Sequence, residues 1–247
     1  MICQEAAKNN GSFFFCKSFE TSSMKTLVLL FQGDSFASPK RPEQSFSCDV
    51  FRDECQRQGI VGSEEVYLQV VFHCKHFTVI PKDIDAQSIF EYHFPPFAAE
   101  PCESALLLDD KQKMIFKSES TLKQAAQEML PHHNLLPDAY LLVNHCLRNS
   151  KDKPLMNIHW KDDCLQIFVA HNSQLVFANA FQVKCDEEVQ YFVASVKQEF
   201  ACGPAFQANL IGNQKLESLV GEFFKKTETF DIAENIHSLL SYQKQSL

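Results

Sequence analysis

The chain has 247 residues, of which 45% are apolar, enough to build a packed core and to exclude disorder as the default state. The formal net charge is -8 and no run of Lys and Arg interrupts it, which argues against a nucleic-acid partner, because counterion release needs clustered cations. No apolar run approaches the roughly 18 residues of a membrane span, so none is expected.

The first 23 residues are polar apart from Phe13 to Phe15 and are expected as an N-terminal extension or a loosely placed first strand. Residues 26–31 (TLVLLF) read as an apolar strand, followed by a turn at Gln32, Gly33 and Asp34. Met24-Lys25 before this run imitates a short secretory signal, but six apolar residues are too few. Residues 38–42 read as loop, 51–58 as a helix closed by Gly59, and 66–72 and 77–80 as strands, the second stopped at Pro81. A short helix is expected at 86–92, and a hairpin around Asp109-Asp110-Lys111. Leu122, Ala125, Ala126, Met129 and Leu130 form a helical stripe halted at Pro131, and a further helix runs over 137–149 with Ala139, Leu142, Val143 and Cys146 on one face. SKDKP, residues 150–154, is the expected linker and divides the chain at 24–153 and 154–247.

The second half has the sharper pattern. Met156, Ile158 and Trp160 alternate with Asn157, His159 and Lys161, then Leu165, Ile167 and Val169 continue after a turn at Asp162-Asp163, and a third strand follows His171-Asn172-Ser173. This is an antiparallel meander. Acids Asp186 to Glu188 open the next helix, with Val189, Phe192, Val193, Val196 and Phe200 on one face and Gly203-Pro204 beyond its end. A strand at 208–211, a helix with Leu216, Leu219, Val220, Phe223 and Phe224 on one face, a last strand at 229–232 and a last helix at 236–242 complete the chain. Three strands, a helix, a strand and a helix are the order of a ribonuclease H-like half-domain.

VIPKDI, LVFANAF followed by DEEVQYFVASV, and LIGN before a Phe-rich helix resemble the bacterial family catalogued as domain of unknown function 3822, over roughly residues 25–240. The resemblance implies a mixed α/β chain with an actin-like ATPase fold, made of two ribonuclease H-like halves, each a mixed five-stranded sheet with flanking helices. No catalytic residues come with it, since fold does not fix function.

The chemistry of such a fold resides at a few fixed strand ends. Phosphate-gripping turns need glycine for close backbone approach and an acid for magnesium. The second-half turn, Trp160 to Cys164, has Asp162 and Asp163 but no glycine, and the first-half turn offers Gly33 and Asp34 in an order that does not match. At the place of the adenosine-binding turn one glycine stands, Gly212, before Asn213, which can cap the next helix. A two-metal nuclease is not supported, since the first strand offers His159 where a carboxylate is needed, and Glu188 is explained by the helix dipole.

His73, Cys74 and His76 are candidate metal ligands, but strand alternation leaves two on one face, too few for a structural zinc site without a second pair. His132-His133 follows a proline with no evident partner. Ten cysteines without a CxxC pair exclude a zinc ribbon or a thioredoxin-type motif and are expected as reduced thiols of a cytoplasmic protein. His145 and Cys146 point about 100 degrees apart on a helix, so Cys146 is expected in the core rather than as a nucleophile.

The sequence therefore leads to a cytoplasmic, non-catalytic pseudo-ATPase that binds another protein, with no cofactor and no metal. The alternative is an ATP-binding switch with atypical loops, in which Gly33, Asp34, Asp162, Asp163 and Gly212 would serve Mg-ATP.

Overall fold

The computed structural model describes residues 25–32, 35–38, 41–57, 61–64, 66–130, 132–200 and 206–241. In chain order the elements are β1 (Lys25–Gln32), β2 (Ser35–Ser38), β3 (Arg41–Ser47), α1 (Cys48–Arg57), β4 (Val66–Phe72), β5 (Phe77–Pro81), α2 (Ala86–His93), β6 (Glu103–Leu106), β7 (Gln112–Phe116), α3 (Ser120–Met129) and β8 (His133–Pro137). They continue with α4 (Asp138–Asn149), β9 (Leu155–Lys161), β10 (Cys164–His171), β11 (Gln174–Gln182), α5 (Asp186–Phe200), β12 (Gln207–Gly212), α6 (Lys215–Val220), β13 (Lys226–Phe230) and α7 (Ile232–Ser241).

Two five-stranded sheets repeat one plan. The first has the order β3-β2-β1-β4-β8 and the second β11-β10-β9-β12-β13, so in both the third, second, first, fourth and fifth strands lie side by side. The first three strands are antiparallel, while the fourth pairs parallel with the first in each sheet. A three-stranded sheet, β5-β7-β6, is inserted in the chain between β4 and β8 of the first sheet. Expectation and structure differ at residues 38–42, and residues 133–137, given no strand from sequence, form one. Arg41 and Pro42 begin β3, at the end of its sheet, where a strand tolerates proline. His133 begins β8, whose Leu135 and Leu136 are buried.

The chain forms two compact units. The first holds the described residues up to Phe72 with Ser120–Leu135. Its β1 is a continuous apolar run from Leu27 to Phe31, all buried, as suits a strand flanked on both sides. Gln69, a buried polar residue on β4, exchanges amide contacts with Asn134, donating to its backbone oxygen at 3.2 Å and accepting from its Nδ2 at 3.2 Å.

The second unit holds His73–Glu119 with the described residues from Leu136 onward. Residues 150–154, expected as a linker, lie within it between α4 and β9. The alternation read on β9 and β10 is real, but both faces are covered. Met156, Ile158, Leu165, Ile167 and Val169 pack with Val189, Val193 and Val196 of α5 and Leu216 and Val220 of α6. On the opposite face lies α4, where the backbone oxygen of Leu142 accepts from Asn157 Nδ2 at 2.8 Å and Cys146 Sγ reaches Leu155 O at 3.3 Å. α4 buries most of its length because it serves as the roof of this sheet.

Candidate functional site

The face roofed by α4 carries an unusual set of buried polar groups. Asn157, His159, Gln166 and Asn209 are all buried. The register makes the pairs. His159 stands opposite Gln166 across β9 and β10, and Asn157 opposite Asn209 across β9 and β12. Asn209 Nδ2 donates to Asn157 Oδ1 at 2.8 Å, and His159 Nδ1 lies 3.1 Å from Gln166 Oε1. Burial without these partners would cost on the order of 1–3 kcal/mol per group.

Asp138, the first residue of α4, organises one end of the layer. An acid in the first helical turn meets the positive end of the helix dipole. Its Oδ1 accepts from Ala139 N at 2.7 Å, Gln166 Nε2 at 3.2 Å and Cys74 N at 3.3 Å. Its Oδ2 lies 2.7 Å from His73 Nδ1 and 3.5 Å from His159 Nδ1. The two imidazoles meet edge to face with centroids 5.5 Å apart. Gln166 Nε2 also donates to Cys74 O at 2.8 Å, which ties the His73-Cys74 segment to the sheet. His73 Nε2 is buried with no hydrogen-bond partner among the described residues.

The electrostatics follow from this geometry. Burial is the largest influence on Asp138 and pushes its carboxyl up, but the His73 charge and hydrogen bond, then His159 and Gln166, together outweigh it and hold Asp138 well below the usual carboxylate range. Burial pushes His159 down, Asp138 and Gln166 pull it partly back, and the net direction is downward. Burial also raises the Cys74 thiol, and neighbouring Asp138 adds to the rise.

The residues nominated from sequence fall elsewhere. Gly33 and Asp34 lie outside the described residues. Asp162 and Asp163 form the β9–β10 turn, with Asp162 at φ 53 in the left-handed region that Asp tolerates. The backbone oxygen of Asp162 accepts from Trp160 Nε1 at 3.0 Å, that of Asp163 accepts from Val183 N at 2.8 Å, and the Asp163 carboxylate pairs with Lys75. Gly212 ends β12 at φ 89, beside Trp160 and the His159 ring. Among the metal candidates read from sequence, residues 73–76 lie between β4 and β5 rather than on a strand. His73 turns to Asp138, Cys74 Sγ to the backbone oxygens of His76 and Lys117, and His76 packs 4.7 Å from the Phe97 ring. His132 pairs with Glu64 and Cys146 is fully buried.

The sequence matches the family model described as Protein of unknown function (DUF3822) over residues 25–230. The chain belongs to the DUF3822 family. A Bacteroides thetaiotaomicron protein described as having an actin-like ATPase fold and unknown function is similar with TM-score 0.71 and 17% identity, over 92% of this chain and 99% of that one. This DUF3822 protein therefore has the actin-like ATPase fold, in which its two five-stranded mixed sheets are the repeated parts. More distant matches are the cytoplasmic domain of EpsL, an inner membrane component of the Vibrio cholerae type II secretion system (TM-score 0.49, 10% identity, 90% and 95% covered), and the PilM–PilN type IV pilus biogenesis complex (TM-score 0.47, 10% identity, 82% and 84% covered). A search of curated proteins by sequence found no match. No described helix is long and apolar enough to cross a membrane.

Proposed function

We propose that this DUF3822 protein is a non-catalytic, cytoplasmic module of actin-like architecture that works by binding another polypeptide, without nucleotide. The observation that carries this function is the engagement of the second-half loops by the protein itself. Asp163 is neutralised by Lys75, the Asp162 and Asp163 backbone oxygens are taken by Trp160 and Val183, and Gly212 is backed by Trp160 and His159. A phosphate-gripping turn instead needs glycine for close backbone approach and an acid available to magnesium, whereas the turn at Asp162 and Asp163 has no glycine and its Asp163 is paired.

Binding of another chain is supported by β11. It ends its sheet, runs nine residues without a charge or proline, and leaves Val176 46% exposed. An uncharged strand edge of this length is suited to pairing with an added strand.

The test is thermal unfolding with and without millimolar Mg-ATP. No shift is expected. A site saturated a hundredfold would add about 2.7 kcal/mol and raise Tm by several degrees. Such a rise, lost in Asp163→Ala, would replace the binding module by an ATP-dependent switch.

A further inference from the structure

We propose that His73, Asp138 and His159 form a binding site for one divalent transition-metal ion of borderline softness, with zinc as the reference ion. The site is independent of the polypeptide-binding function above. It completes what the sequence offered in part at His73, with ligands drawn from 65 and 86 positions further along the chain.

The geometry comes first. One ligand atom from each residue can be chosen so that all three lie within 4.8 Å of one another. Ligands held at about 2.0–2.2 Å around a tetrahedral ion are roughly 3.3 Å apart. The separations from Asp138 Oδ2 to His73 Nδ1 and His159 Nδ1, 2.7 and 3.5 Å, bracket that value, so small side-chain rotations admit an ion.

The surroundings are those of a built site. Three N–H donors, from Cys74, Ala139 and Gln166, occupy Asp138 Oδ1 and leave Oδ2 to the histidines. Such outer hydrogen bonds orient a ligating carboxylate. His159 is set by β9, Asp138 by the start of α4, and His73 is held beside them by the bonds that Cys74 makes to Asp138 and Gln166. Gln166 Oε1, 3.1 Å from His159 Nδ1, places a further oxygen beside the triad.

The donor set selects the ion. Two imidazoles and one carboxylate suit zinc, cobalt, nickel or ferrous iron, whereas calcium and magnesium need a cage of oxygens. Cys74 Sγ is turned to the His76 and Lys117 backbone oxygens, so no thiolate makes the set soft.

The experiment is titration of the EDTA-stripped full chain with Co2+, read by visible absorption, followed by displacement with Zn2+. One ion per chain is expected. His73→Gln and His159→Gln should each weaken binding at least tenfold, Gln166→Leu about tenfold or more as an outer-shell change, and His76→Gln should leave it unchanged. Circular dichroism of each ion-free variant separates lost ligands from lost folding, and Asp138→Asn, close to isosteric, gives a second test if a histidine variant unfolds. Absence of one-to-one binding by the folded wild-type protein, or binding that survives both histidine substitutions in folded variants, would overturn the site.

Discussion

Gly212 approaches Trp160 so closely that a Cβ built on it would lie 2.9 Å from the Trp160 carbonyl oxygen, and 3.2 Å from His159 Cδ2. Its φ of 89 adds a second reason for glycine. Gly212→Ala should destabilise the protein by about 1–3 kcal/mol in urea unfolding, with or without ATP. Gly62 also has positive φ, at 72, but opens onto empty space, so Gly62→Ala should cost less. Equal costs would mean that the contact with Trp160 contributes nothing.

Asp138 is the hub of the buried polar layer, and removing it takes a partner from His73, His159, Gln166 and the backbone N–H groups of Cys74 and Ala139. Asp138→Ala should cost about 3–5 kcal/mol, the range for breaking a buried charged pair. Chemical denaturation at neutral pH measures it. A loss below about 1 kcal/mol, the scale of a surface pair, would contradict the network described here.

His145 titrates under the influence of its burial, which lowers it, while Asn157 and Glu228 pull it partly back. A histidine whose folded value is lowered contributes its full stability above the unfolded value, near ~6.5. That contribution is lost as pH falls below the unfolded value and through the folded one. Stability should therefore decline between pH 7 and 5, and the decline should be shallower in His145→Gln. An unchanged slope in that variant, followed by Tm across the pH series, would show that His145 is not linked to folding.

Thiol chemistry separates the cysteines. Burial pushes Cys146 up to about 12, and burial with help from Asp138 pushes Cys164 up to about 12, while Cys185 is exposed. Site-resolved labelling of the native protein should find Cys185 modified and Cys74, Cys146 and Cys164 protected until denaturant is added. Rapid native labelling of Cys146 would mean that α4 does not stay on its sheet.

Much of the fold was legible because local cues agreed. β4 and the three-stranded meander of the second half were readable from apolar runs, alternation and turn residues, and Asp186 to Glu188 announced α5. β3 was hidden by Arg41, Pro42 and Glu43, which look like loop residues and are tolerated only because the strand ends its sheet. β8 was hidden because its segment is short and opens with polar residues. The nominated turn residues Asp162, Asp163 and Gly212 were correctly placed at strand ends, but their engagement by Lys75, Trp160 and His159 depends on contacts that no local pattern records.

The buried polar layer was least legible. On β9 the alternation of Asn157 and His159 with Met156 and Ile158 is the signature of a strand with one wet face, yet α4 covers that face. The signal that could have found it is on α4 itself. Ala139 to Val143 is an unbroken apolar and aromatic run wider than one helix face, flanked by Asp138 and Asn144, and such a run needs a partner surface with matching polar groups.

The position of α4 in the chain sets an order on folding. Residues 138–149 are synthesised before β9, β10 and β11, the strands they cover. Until the hairpins from 155 to 182 have emerged, Leu141, Leu142, Val143 and Cys146 have no sheet to lie on. At the ~5–20 residues per second of translation, that interval lasts a few seconds, during which the sheet-facing side of the nascent helix stays uncovered.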